Sequence, residues 1–376
     1  MSVKYPIASI LCVALAASPV SAQDGGKPGG FGDRTGKNRE AALRDGGGTE
    51  ASEAAVASGL KWLIRLQEPD GRWMLNGSRL ADKDKGSQVN DAAATAFGLL
   101  PFLAAGHTHK PGKANPYDKN IDKGLKFLIR TQDKKTGYFG GTMYAHGLAT
   151  ITLCEAYGMT KDPALRAAAQ GGINLIINVQ HDGGGWRYTP AKTPGDMCIS
   201  GWQMLALTTA QRAGLNVPND TIKKAIAFLN SDTNPVDDGY GYTPGQGSTP
   251  RMTAVALLCR QNVQAWGPAH PKVLKGVENF ITKNQPDRQD VYYYYYATQV
   301  MFNVGGKSWT DWNDKMRDFL VKKQETDEKS PNHGSWAPQG DVFGQQGGRL
   351  MMTSMNLLTL EVYYRHTPLF PREPAE

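Results

Sequence analysis

One short pattern recurs six times along the 376 residues of this chain. In every copy a large apolar residue stands five positions before a fixed site, and Gln occupies that site in five copies. The first copy, residues 59–67, matches the second, residues 124–132, nearly residue for residue. Single layered cores rarely exceed about 250–300 residues, so a repeat architecture suits this length. The fixed sites are Gln67, Gln132, Gln180, Thr233, Gln285 and Gln324.

A glycine and an aromatic residue follow most of these sites, and a second apolar segment then begins. Trp73, Trp186 and Trp336 are the Trp members of this set, and the fifth copy has the run Tyr292–Tyr296 instead. The second segments lack strand-like alternation and are rich in Ala, Leu and Met, so each predicts a helix. They span residues 91–105, 144–157, 199–213, 252–264, 294–303 and 350–364.

Each unit is therefore predicted to be a helix, a loop and a second helix. The first helix has an apolar face, with Leu60 and Leu63 opposite Lys61 and Arg65. The second helix is apolar nearly all round, as expected of a helix that is buried on both sides. Six first helices outside six second helices predict an all-α fold, an α6/α6 toroid over residues 52–366. We expect each Gln amide to bind free backbone groups of the next unit, with the Trp ring beside it.

The N-terminal residues have the features of an export signal. Lys4 precedes an apolar stretch from Ile7 to Ala17, and residues 20–22 form a small-residue cleavage site. The stretch is too short to span a membrane as a helix, which needs about 20 apolar residues. Residues 1–22 therefore predict export to the periplasm or beyond, with a retained anchor as the alternative. Gly-rich residues 23–51 predict a flexible tether, and residues 367–376 a tail.

Charge and cysteine content exclude two further classes. The 42 Lys and Arg against 35 Asp and Glu give a net charge of +7, yet basic runs are no longer than pairs such as Lys322–Lys323. No nucleic-acid partner is therefore predicted. Removal of the signal leaves Cys154, Cys198 and Cys259, an odd number that predicts no disulfide framework.

The six-fold pattern resembles the "QW" repeat of squalene–hopene and oxidosqualene cyclases, and more broadly the terpenoid-cyclase and protein-prenyltransferase superfamily. The chain is also similar to exported prenyltransferase/squalene-oxidase repeat proteins of planctomycete-type bacteria. Residues 144–150, 201–203, 296–300, 340–341 and 348–350 carry that second likeness. The resemblance implies a central cavity at the starts of the inner helices, lined by aromatic walls and suited to an apolar, isoprenoid-like molecule.

The cyclases of this superfamily protonate an alkene with an Asp-x-Asp-Asp motif, and the sequence has no such motif. Asp91 opens the first inner helix as a single carboxylate. Asp237-Asp238 falls in a repeat loop, where a turn before Gly239 is the simpler interpretation. The acid machinery of a cyclase is therefore predicted to be absent, although Asp91 stays a candidate catalytic residue with His146 and Asp196.

Asp196 and Cys198 resemble the Asp-x-Cys pair that binds zinc in the prenyltransferases. That family takes its third ligand from a His at the head of the last inner helix, where this chain has Met352-Thr353. Zinc needs a third protein ligand, and His146 supplies it only if it faces the same point. The alternative is a buried Cys198 beside an Asp196 that caps its helix. No cofactor is predicted, with an incomplete zinc site as the alternative.

Other side chains are candidates for the cavity wall or the core. His146 is the only His within an inner-helix segment and is either an acid–base group or a satisfied core residue. Five consecutive tyrosines cannot share one helix face, so some of them pack between helices. Asp341 and Arg349 flank a Gly-rich loop, as an ion pair or as an anion site. The candidate cavity residues are Tyr292, Tyr293, Tyr296, Trp202, Arg349 and Asp341.

Two functions of different classes follow from the sequence. One is an exported enzyme, or enzyme-derived protein, that takes an apolar small molecule into its cavity. The other is a non-catalytic binding or scaffold toroid of the cell envelope with a protein partner. Convergence of His146, Asp91 and Asp196 on one open, aromatic-lined pocket would favour the enzyme.

Overall fold

The structure is a computed structural model that describes residues 30–31, 34–112 and 115–371. The predicted signal of residues 1–22 lies outside these ranges. Throughout the described residues the chain is helical, with one isolated bridge between Thr233 and Tyr240 and no strand. The α-helices are Gly36–Gly46 (α1), Glu50–Leu66 (α2), Asp91–Ala104 (α3), Asp118–Thr131 (α4), Met143–Thr160 (α5), Pro163–Asn178 (α6), Met197–Ala213 (α7), Asn219–Asp232 (α8), Pro250–Gln264 (α9), Pro271–Gly276 (α10), Val291–Val304 (α11), Gly306–Lys323 (α12), Gly344–Leu360 (α13) and Val362–Arg365 (α14).

The odd-numbered helices α3 to α13 form a closed inner ring. Each contacts the next, and α13 returns to contact α3. The helices α2, α4, α6, α8, α10 and α12 lie outside them, and α10 continues into a π-turn at Val277–Ile281. The predicted all-α toroid of six helix–loop–helix units is confirmed. Inner helices such as α5 are buried over most of their length because both walls of the barrel cover them.

The repeated Gln joins each unit to the next through both amide hydrogens. Gln132 Nε2 donates to Gly137 O in its own loop at 3.0 Å and to Ala168 O in the next outer helix at 2.9 Å. The first bond satisfies a carbonyl of the loop, and the second ties the loop to a carbonyl within the next outer helix. The same pair of bonds is made by Gln67, Gln180 and Gln324.

The Trp and Gly of the loop complete this junction. Trp186 Nε1 donates to Ile176 O at 2.8 Å, four residues before the Gln of its unit, and Trp73 and Trp336 do the same to Leu63 and Leu320. Gly184 has φ +90°, and a Cβ built on it would lie 1.7 Å from Lys224 O of the next outer helix. Only glycine allows so close an approach with that backbone conformation.

Two units depart from the pattern. In the fourth unit Thr233 stands at the Gln site, and Arg260 of the inner helix α9 donates to Tyr240 Oη at 3.0 Å and to Thr233 Oγ1 at 3.3 Å, within the same unit. In the fifth unit Gln285 Nε2 donates to Thr282 O at 2.8 Å, three residues back, and does not reach the next unit. Gln285 therefore does not perform the structural role predicted for it, because the π-turn displaces the helix end.

The N-terminal boundary also differs from the prediction. Part of the segment expected to be a flexible tether forms α1, which packs against α14. Arg34, before α1, is buried with 4% of its surface exposed. The folded body therefore begins before residue 52, because the N-terminal segment covers one end of the ring. Among the described helices, none combines the length and the apolar composition that crossing a bilayer requires.

Candidate functional site

Aromatic side chains of inner helices that are not neighbours in the ring meet inside it. Trp202 of α7 stacks on Tyr295 of α11 with ring centroids 5.7 Å apart, and Tyr296 approaches its edge at 5.6 Å. Tyr292 lies 4.9 Å from Tyr296. In the ring α9 separates α7 from α11, so these contacts cross the lumen. We call Trp202, Tyr292, Tyr295 and Tyr296 the aromatic plug; each has less than 5% of its surface exposed.

Asp196 lies beside this plug at the start of α7. Its Oδ1 accepts from Ile199 N at 2.8 Å and so caps the helix, while its Oδ2 accepts no hydrogen bond from the described residues. The nearest cation is Arg187, whose Nε is 4.0 Å from Oδ2. Burial raises the pKa of the Asp196 carboxyl to about 6, against the lowering effect of its bond with Ile199. The carboxyl is therefore partly protonated near pH 6.

Cys198 is the one cysteine of the described residues that is not fully buried. Its Sγ lies 3.2 Å from Tyr292 Oη, and burial raises its thiol pKa to about 12. At neutral pH the residue is therefore a thiol and not a thiolate. Within the ranges that the structure describes, no group of three His, Cys, Asp or Glu side chains could hold a metal ion. Asp196 and Cys198 have no third ligand there.

His146 does not face the barrel axis. Its Nε2 donates to Gly172 O of the outer helix α6 at 2.9 Å, and none of its surface is exposed. Burial lowers its pKa to about 4, so the ring is neutral at physiological pH. His146 comes four residues after Thr142, just as Ser200 comes four residues after Asp196. From this position Ser200 contacts Trp186 of its loop. His146 therefore packs between the inner and outer walls.

The remaining candidates lie apart from the plug. Asp91 Oδ2 pairs with Arg72 Nη1 at 3.1 Å, and Asp341 caps α11 by accepting from Val291 N at 2.8 Å. The expected pair of Asp341 with Arg349 is absent, because Arg349 binds Asp84 at 2.8 Å instead.

Tyr293 turns to the outer wall, where its hydroxyl donates to Asn284 O at 3.1 Å. Of the predicted residues, the structure brings together Asp196, Cys198, Trp202, Tyr292 and Tyr296. His146 and Asp91 make their contacts elsewhere, so the predicted catalytic residues do not converge.

Sequence reasoning missed the tyrosines of the loops. Tyr188 is 40% exposed, and its hydroxyl lies 3.2 Å from that of Tyr242. Their backbone carbonyls accept from the first residues of α5 and α7, which fixes both loops above the plug. Tyr144 at the start of α5 packs against Trp202 at 5.4 Å. We call Tyr144, Tyr188 and Tyr242 the tyrosine rim. For Tyr188 and Tyr242, their place two residues after the loop aromatics Trp186 and Tyr240 was a signal available in the sequence.

Known proteins resemble this chain at the level of the fold. No family model matches the sequence. Enfumafungin synthase of Hormonema carpetanum is 24% identical over 212 residues, which are 50% of this chain and 16% of that protein. This chain therefore matches about a sixth of the length of that relative.

Solved structures of two kinds share the architecture. The type II terpene cyclase MstE from Scytonema, in complex with geranylgeranyl dihydroxybenzoate, has a TM-score of 0.55 at 12% identity over 84% of this chain and 97% of its own. A GH76 α-mannanase of Bacteroides thetaiotaomicron has a TM-score of 0.59 at 11% identity over 86% and 98%. An α-amylase from Clostridium perfringens has a TM-score of 0.57 at 11% identity over 83% and 98%. The chain therefore has the α/α-toroid fold that these terpene cyclase and glycosidase structures share.

Proposed function

We propose that this chain is an exported, non-catalytic binding toroid of the cell envelope. It holds a partner protein at the tyrosine rim and uses neither a cofactor nor zinc. The observation that carries this proposal is the aromatic plug, because Trp202 and Tyr296 occupy the axis where an isoprenoid would have to lie. Space that reaches the inner helices from the opposite end amounts to only about 40 Å³. That is room for about three water molecules.

The rim supports binding at the surface above the plug. Tyrosines give a large contact area at low conformational cost, and at the rim Tyr188 is exposed, with its hydroxyl held by that of Tyr242. Tyr188 and Tyr242 are held by backbone bonds to two inner helices, so they are ordered before any partner arrives. MstE is described in complex with a geranylgeranyl compound. A chain with a filled axis has no comparable space for such a molecule.

The first test measures enclosure of an apolar ligand. The exported chain, incubated with geranylgeranyl diphosphate or squalene, is expected to convert neither and to retain neither in native mass spectrometry. Trp202→Ala is expected to open the axis and to take up an apolar fluorescent dye that wild type excludes. Trp309→Ala, in the outer wall, serves as the matched control for loss of a buried Trp. Turnover or retention of a prenyl compound by wild type would contradict the proposal.

The second test concerns the rim. A photoreactive amino acid at position 188 is expected to cross-link one discrete protein in the exporting cell. The same group at position 274, where Leu274 is 51% exposed on an outer helix, is the control and should not. Identical cross-links at both positions would remove the rim from the proposal.

One observation favours a second candidate function, acid catalysis at the plug. Asp196 combines an unpartnered buried oxygen with a pKa raised by burial to about 6, next to aromatic rings that can stabilise a cation. Asp196→Asn separates the two candidates, because Asn also caps helices well and keeps the fold. We expect the variant to leave partner cross-linking unchanged. Loss of a measurable turnover in this variant would favour the catalytic candidate.

A further inference from the structure

A small polar cavity lies at the end of the ring opposite the tyrosine rim. Three arginines, Arg34, Arg212 and Arg365, line its wall together with one acid, Glu155, and its volume is about 40 Å³. We call these four residues and the space between them the arginine chamber. A water molecule needs about 10–15 Å³ of such a cavity, so the chamber has room for one small anion.

Glu155 is shared by two of the three arginines. Its Oε1 lies 2.5 Å from Arg34 Nη1, and its Oε2 lies 3.2 Å from Arg365 Nη2. Burial alone would raise its pKa, but Arg365 and Arg34 outweigh burial and lower the pKa to about 2. The carboxylate is therefore ionised at every physiological pH and supplies one negative charge.

Arg212 has no acidic partner in the chamber. Among the described residues its guanidinium donates one hydrogen bond, to Asn262 Oδ1. The other wall residues near it are neutral, and Thr208 and Thr209 donate their hydroxyls to carbonyls of their own helix. Burial lowers the pKa of Arg212 to about 10, with Glu155 raising it and Arg34 lowering it further. At neutral pH it is still a cation.

Two further titratable groups near the chamber do not offset these charges. Glu361 is fully buried and neither of its oxygens accepts a hydrogen bond from the described residues; burial raises its pKa well above the usual range. Burial, and then Arg365, Arg34 and Arg212, lower the pKa of His366, so that ring is neutral. Three guanidinium groups thus line the chamber beside the one carboxylate, Glu155, that pairs with Arg34 and Arg365.

The helix ends around the chamber offset part of this positive charge. The C-terminal ends of α5, α7, α9 and α11 carry partial negative charge, and Arg34 Nη1 also donates to Leu103 O at 2.8 Å. Arg212 and Arg365 do not bind such carbonyls. Arg365 donates to Glu155 and to Tyr295 Oη, and Arg212 donates to Asn262. Among the residues that the structure describes, no other acceptor is bound by Arg212 or Arg365.

We propose that the arginine chamber binds one small anion, a halide or a short oxyanion such as a carboxylate, between Arg212 and Arg365. Arg34 closes the site from the N-terminal segment, and Phe31 packs over it in contact with Gly158. The occupied site would fasten the N-terminal segment to the end of the barrel. It is independent of the tyrosine rim, which lies at the other end of the inner helices.

The test compares thermal unfolding of the full chain with and without small anions. In a buffer whose anion is gluconate, which is too large for the chamber, added chloride, acetate or phosphate is expected to raise Tm in a saturable way. Arg212→Met is expected to lose this rise. In gluconate alone the variant should be at least as stable as wild type, because it removes an unbalanced charge. Arg166→Met, on the exposed face of α6, is the control and keeps the response.

Diffraction from bromide-soaked crystals locates the ion, and an anomalous peak between Arg212 and Arg365 is expected. The proposal would be overturned if added anions gave no saturable rise in Tm beyond that given by gluconate at equal ionic strength. A destabilised Arg212→Met that keeps the wild-type anion response would overturn it too, since Arg212 would then be structural. Asp33 lies outside the described residues, next to Arg34 in the sequence. If only the Asp33→Asn variant gave the anion-dependent rise in Tm, the carboxylate of Asp33 would be the group that fills the chamber in wild type. That result would also overturn the proposal.

Discussion

At the scale of single residues, the repeated Gln is the side chain on which each junction between units depends. Gln132 is 5% exposed, and its amide donates to Gly137 O in the loop and to Ala168 O in α6. A hydrogen bond contributes about 0.5–1.5 kcal/mol, and a buried carbonyl that loses its donor costs about 1–3 kcal/mol. Without the amide, Gly137 O loses this donor and the bond to the next unit is lost.

Gln132→Ala is therefore expected to lower the free energy of unfolding by about 1–3 kcal/mol. Gln285→Ala is the matched control, because Gln285 makes a single bond within its own turn and should lose at most about 1 kcal/mol. Denaturant unfolding followed by circular dichroism measures both values. Equal losses in the two variants would show that the bond to the next unit contributes nothing.

His146 gives the protein a pH dependence. Its folded pKa is about 4 and its ordinary value is 6.5, so the unfolded chain takes up the proton more readily. The associated stability is complete above pH 6.5 and is lost as the pH falls from 6.5 to 4. The difference corresponds to about 3 kcal/mol. Asp196, whose folded pKa is raised to about 6, acts in the opposite direction below pH 6.

His146→Gln removes the histidine proton and keeps Asp196, so comparison of the two chains isolates the histidine. We expect the variant to lose less stability than wild type between pH 6.5 and 4, as measured by urea unfolding at a series of pH values. Parallel curves for the two proteins would mean that His146 is hydrated in the folded state.

At the scale of helices, four of the six outer helices end in a Gln that reaches the next unit, and the fourth and fifth units lack this bridge. The fifth unit departs further from the pattern. Its outer helix consists of the six residues of α10 and the π-turn Val277–Ile281. Without a Gln bridge, this helix is held by its packing against α9.

Amide hydrogen exchange should therefore be faster in residues 271–281 than in residues 118–131 of α4, which has a complete junction. Local opening free energies follow the number of buried contacts and protected backbone bonds. Exchange measured by mass spectrometry on peptides of these two segments tests the expectation. Equal protection would show that inner-wall packing alone sets local stability.

At the scale of the whole molecule, the ring is closed, and the ends of the described chain lie together. Arg34 Nη2 donates to Arg365 O at 2.9 Å across 331 residues of sequence. The first and last units are joined as the others are, because Gln324 donates to Ala55 O at 2.8 Å. The position of the chain ends is therefore not a requirement of the fold.

A circular permutant that joins residue 371 to residue 30 and opens the chain at the exposed Gly247 is expected to fold with wild-type helicity. Deletion of one unit, residues 118–160, is expected to abolish cooperative unfolding, since five units cannot close the same ring. Circular dichroism with thermal unfolding distinguishes the two outcomes. A unit deletion that still unfolds cooperatively would mean that the ring behaves as an open solenoid.

The repeat, the two classes of helix and the loop chemistry follow from the sequence alone. These properties are local. Apolar periodicity determines which face of a helix is buried, and Gly184 and Trp186 suit a turn that forms within a single unit. Their recurrence in six units made the toroid predictable. Even here a local change, such as the π-turn before Gln285, escaped the pattern because nothing in that Gln's spacing differs from the other copies.

Only the tertiary structure decided which side chains face one another. A helix turns about 100° per residue, so His146 points to the outer wall and Tyr296 to the axis for reasons that lie in the neighbouring helices. Contacts across the ring turned an expected cavity into a filled axis. Arg34, Arg212 and Arg365 belong to no shared sequence pattern, and closure of the ring alone gathers their charges around one carboxylate.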